Sequence, residues 1–75
     1  MSSRAEIKQR LALVDERIKL DTEHVRRQRQ MVDEIEQNGL DAGQSKRALA
    51  ALVDSLSGHL AVRERLLREL EGAQE

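Results

Sequence analysis

The stretch Ile35-Glu36-Gln37-Asn38-Gly39-Leu40-Asp41 decides the fold, because it is the one short interruption between two long helical patterns. Gly39 suits the left-handed residue that ends a helix, and it places Leu40 and Ile35 as the apolar pair of a Schellman motif. Asp41 is then positioned to cap the next segment at once, with Gln44 completing a D-x-x-Q box. A connection this short makes its flanking helices antiparallel neighbours. The expectation is a single domain over 1–75, with helix 1 at about 3–38, a turn at 39–41 and helix 2 at about 42–71.

Upstream of the turn, Ser3-Arg4-Ala5-Glu6 has the S-x-x-E pattern of a capping box. Apolar residues then recur at Ile7, Leu11, Val14, Ile18, Val25, Val32 and Ile35 in steps of three and four, interrupted by Asp21 and Gln28. This is the period of a coiled-coil or bundle helix and not that of a strand. Downstream, the apolar set is Leu49, Leu52, Val53, Leu56, Leu60, Leu66, Leu67 and Leu70, with Arg63 the charged member of the stripe. Gly58 weakens this helix by about 1 kcal/mol relative to alanine, and its expected role is to permit close packing.

Folding the chain at 40 and 41 pairs Val32 with Leu49, Gln28 with Val53, Val25 with Leu56, Asp21 with Leu60, Ile18 with Arg63, Val14 with Leu67 and Leu11 with Leu70. Asp21, Gln28 and Arg63 form the polar part of this core, and an Asp21–Arg63 ion pair is expected to fix register, the alternative being that Arg63 snorkels to water and Asp21 tilts outward. Two helices cannot enclose a core, and a chain this small without disulfide or metal usually needs a partner. Leu13, Leu20, Met31, Leu52 and Leu66 lie off the main stripe and are available for that contact. The fold class read from the sequence is therefore all-α, an antiparallel coiled-coil-like hairpin that dimerises into a four-helix bundle.

Composition narrows the function. The 75 residues include no Cys, Pro, Phe, Tyr or Trp, which excludes disulfides, thiol nucleophiles, Cys-ligated zinc and aromatic stacking platforms. Thirteen basic and fourteen acidic residues leave a net charge of −1, so bulk charge does not attract polyanions. Apolar runs stop far short of the ~20 residues a membrane helix needs. No basic segment leads into an apolar one as in a signal peptide. The expected location is cytoplasmic, with no membrane partner.

From His24 to Leu70 a further pattern is present: His24, Arg27-Gln28-Arg29, Gly39 and Asp41, Leu49 and Leu56, then His59, Arg63, Arg65-Leu66-Leu67 and Glu69-Leu70. In these residues the chain resembles a group of short helical-hairpin proteins of alphaproteobacteria whose role is uncharacterised. It departs from them at Leu40, where a polar residue is usual, at Leu52, where Phe is usual, and at Val62, where Asp is usual. The resemblance implies the hairpin and implies no activity.

His24 and His59 are the side chains suited to proton or metal chemistry near neutral pH. The register brings them within about two residues, ~3 Å, of each other along the axis and beside Asp21, an outline of a two-histidine, one-carboxylate metal site. Ordinary hydrogen-bonding histidines at the core boundary are the preferred reading, with no cofactor. Arg26, Arg27 and Arg29 form the densest basic cluster and the alternative, a nucleic-acid contact. Glu23 and Asp33 stand one turn from them, however, as in solvated helix salt bridges. Ser55 and Ser57 near His59 sit on a helix without a concave scaffold, so no catalysis is expected. The leading reading is a small interaction or assembly module, a homodimer with a further protein partner unknown.

Overall fold

Ser3 starts the first helix: its Oγ accepts the Glu6 amide at 3.2 Å, half of the expected capping box. In the computed structural model, which describes residues 3–73, α1 spans Arg4–Gln37 and α2 spans Gly43–Gly72. The turn between them forms as its residues dictate. Gly39 takes φ +72°, Leu40 N–H donates to the Ile35 carbonyl at 3.1 Å and Gly39 N–H to that of Glu36 at 3.0 Å. These are the two hydrogen bonds of a Schellman motif. Leu40 remains 65% exposed, so the expected apolar pair with Ile35 buries little of it.

The second helix begins one residue later than its acidic cap suggested. Asp41 Oδ1 accepts the Gly43 amide at 2.8 Å, closing a turn two residues on instead of a D-x-x-Q box. The N-cap position falls to Ala42, which supplies no side-chain cap. A Cβ at Gly43 would sit 3.2 Å from that same Asp41 oxygen, which explains a glycine at the start of a helix.

The two helices lie antiparallel along their whole length. At the turn, Lys46 Nζ meets Glu36 at 2.7 Å. At the open end, Arg4 Nη1 donates to the Leu70 carbonyl at 2.9 Å, a cation on the last turn of α2 where the helix dipole is negative. The core is a thin seam. Ile7, Val14, Val25, Val32, Ala42 and Leu66 are its buried apolar residues, with Leu11, Ile18, Val62, Leu70 and Ala73 packed around Ile7, Val14 and Leu66 at the open end. Ile35, Leu49, Leu52, Val53, Leu56 and Leu67 are half-buried.

The face of α1 is the one its periodicity predicts, but α2 is rotated from expectation. Val14 packs with Leu66, not Leu67, and Asp21 meets His59, not Leu60. Leu60 is 47% exposed. The reason is the buried carboxylate. Leu60 offers it no donor, whereas a small rotation of α2 presents an imidazole, and an unpaired buried charge is more costly than one exposed leucine. Gly58 also differs from expectation: a Cβ there would meet nothing within 4 Å, so close packing does not require it.

Candidate interaction groove and the polar core layer

Asp21 is the buried charged residue of the seam. Its Oδ2 lies 2.5 Å from Nδ1 of His59, a histidine on the facing helix whose side chain is 32% exposed. The imidazole thus has one nitrogen on the carboxylate and its other edge toward the surface. The expected Asp21–Arg63 pair does not form. Arg63 Nε instead donates to Asp15 Oδ1 at 2.8 Å, both groups being about half exposed. Arg63 reaches outward along its flexible stem, as long cationic side chains at a core edge do. Gln28, the third polar member, donates from Nε2 to the Ser45 carbonyl at 3.2 Å. Among the described residues no buried side-chain polar atom lacks a partner.

The two histidines and Asp21 do not converge as the sequence outline had them. His24 is exposed, and no group of three His, Cys, Asp or Glu among the described residues is arranged to hold an ion. The arginine cluster is divided. Glu23 takes Arg26 through both carboxylate oxygens, at 2.6 and 3.1 Å, and Arg27 at 3.1 Å. The Arg26 hydrogen bonds, with Arg27 behind them, hold the Glu23 carboxyl at about 2 against an ordinary 4.5, and the same contact raises Arg26. Arg29 is exposed. At the turn, Glu36 likewise raises Lys46.

The feature that sequence reading undervalued lies on one side of the open half. A groove of about 710 Å³ runs between α1 and α2. Its apolar surface comes from Leu13, Val14, Leu20, Val62 and Leu66, and its charged rim from Arg10, Glu16, Arg17, Arg65 and Glu69. Leu13 is 69% and Leu20 53% exposed, so α1 carries a second apolar edge beside its buried seam. Leu13 and Leu20 were visible as surplus leucines. The charges around them were hidden among the many salt-bridging residues of a helix surface. No helix among the described residues is long and apolar enough to cross a membrane. No family model, curated protein or solved structure matches the chain.

Proposed function

We infer that this chain is a small interaction module whose task is assembly, not catalysis, and that it first associates with itself as a homodimeric four-helix bundle. The observation that carries this reading is the groove with Leu13 and Leu20 on its edge. Scattered surface leucines need no explanation, but two on one helix face beside a half-open core mark a contact surface. The chemistry of the rest of the surface agrees. His59 is occupied by Asp21, and Arg26 and Arg27 share the one carboxylate of Glu23. A hairpin of two helices whose seam is one layer thick gains most by covering that seam from the side.

Sedimentation equilibrium tests the proposal directly. The expected mass is about twice the 8.5 kDa of the chain at micromolar concentration, falling on dilution. A mass of one chain at all concentrations overturns it. Fluorescence polarisation with mixed RNA and DNA oligonucleotides at two salt concentrations separates the nucleic-acid alternative, since binding through phosphate contacts weakens steeply with salt. Weak and salt-insensitive polarisation is the expected result.

A further inference from the structure

Leu13, Glu16, Arg17 and Leu20 lie three, four and seven residues apart and so share one face of α1. All four are exposed and line the groove. Read in either direction, this face has a leucine at each end. Its two central charges exchange sign on reversal. Such a face is complementary to an inverted copy of itself. The geometry points to a second copy of this chain as the occupant of the groove, its α1 antiparallel to the first about a two-fold axis between Glu16 and Arg17. This rests on the self-association proposed above and adds its orientation and register.

About that axis Leu13 of each protomer covers the partner's Leu20, and Glu16 lies beside the partner's Arg17. Further out Arg10, on the groove rim, comes level with the partner's Glu23. Other arrangements are worse for stated reasons. Parallel pairing sets Glu16 against Glu16 and Arg17 against Arg17, and like charges facing each other oppose association. Sliding the antiparallel pair by one heptad puts Leu13 on Leu13 but Leu20 against the partner's Glu6. Sliding it the other way puts Leu20 on Leu20 but Leu13 against the partner's Arg27. The register centred between Glu16 and Arg17 covers both leucines and sets opposite charges together at the axis.

The elongated chain as a whole has surplus surface enough to include such a contact. The protein exposes 5832 Å², about 1,200 Å² more than a compact chain of its mass would expose. A stable protein interface removes about 800 Å² from each partner.

Charge reversal and thiol proximity test the register together. Glu16→Arg alone or Arg17→Glu alone places like charges around the axis and is expected to weaken the dimer about tenfold. An equimolar mixture of the two variants restores opposite charges at every contact and should form a mixed dimer of ordinary affinity. Circular dichroism checks that each variant stays helical. Because the chain has no cysteine, Leu13→Cys and Leu20→Cys introduce single reporters, and nitrogen-15 labelling of one variant distinguishes mixed from self-linked dimers by mass. Oxidation of the mixture should give mainly the mixed disulfide. Self-linked Leu13→Cys forming as readily as the mixed species overturns this orientation while leaving self-association in place. Reversed charges without effect on a dimeric protein overturn the register. A wild-type chain that sediments as a monomer removes the underlying reading as well.

Discussion

A carboxylate in an aliphatic seam is tolerated only with a partner, and at Asp21 that partner is His59. Replacing His59 with leucine strands the buried oxygens and is expected to cost about 1 to 3 kcal/mol. Replacing Asp21 and His59 together with leucines should recover most of that loss, since an apolar layer can substitute for a polar pair. A urea-denaturation cycle at fixed protein concentration reads the coupling. Additive single effects would show that the pair contributes nothing as a pair. By contrast, Asp21→Leu and Arg63→Leu should add within about 0.5 kcal/mol, because Arg63 is bonded to Asp15. The Glu23 carboxyl provides a pH test. Its folded-state value of about 2 lies below the ordinary 4.5. The contribution of its Arg26 contact is therefore complete above 4.5 and is lost as pH falls toward 2. Carbon-13 titration of the carboxyl should show the low midpoint, and Arg26→Ala should raise it toward 4.5. A midpoint that Arg26→Ala leaves in place would assign the effect elsewhere.

At the scale of the elements, two glycines make opposite predictions. Gly39 holds φ +72° in the turn, so Gly39→Ala should destabilise by about 1 to 2 kcal/mol. Gly58 lies in mid-helix with free space around its missing side chain, so Gly58→Ala should stabilise by about 1 kcal/mol. Thermal melts followed by circular dichroism would show both, and a Gly58→Ala loss would reveal a contact on that face. The turn and the α1 seam were legible because they depend on local chemistry: one residue suited to positive φ, and an unambiguous three-four repeat. The face of α2 was less so. Two interleaved stripes share Leu49, Leu56, Arg63 and Leu70. One adds Val53, Leu60 and Leu67, the other Leu52, His59 and Leu66. Hydrophobicity alone favours the first. The structure adopts the second, and the signal for it was Asp21, a buried acceptor that requires a donor at its own level on the opposite helix.

The molecule as a whole is a rod of 58 × 14 × 13 Å with a radius of gyration of 17.0 Å, against about 11 Å for a compact domain of this length. Such a shape keeps nearly every residue within one layer of solvent, and among the described residues six apolar side chains are buried. The Lys46–Glu36 pair at the turn and the Arg63–Asp15 pair farther along fix the two helices relative to each other but are too exposed to supply much free energy. A second layer would add the apolar burial that so thin a seam provides little of. If that layer is another copy of the chain, folding and association are one equilibrium, and the melting temperature depends on concentration. For a dimer of this size a tenfold change in concentration corresponds to about 1.4 kcal/mol, and so to a shift of about 3 to 5 °C. Leu13→Lys sets a cation on the groove edge without touching the buried seam. It should lower the melting temperature at high concentration and abolish the dependence, while the far-ultraviolet spectrum below the transition stays helical. Wild-type melts that coincide across a hundredfold range of concentration would mean that the single-layer hairpin is stable alone, and its exposed leucines would then serve some contact other than a second copy.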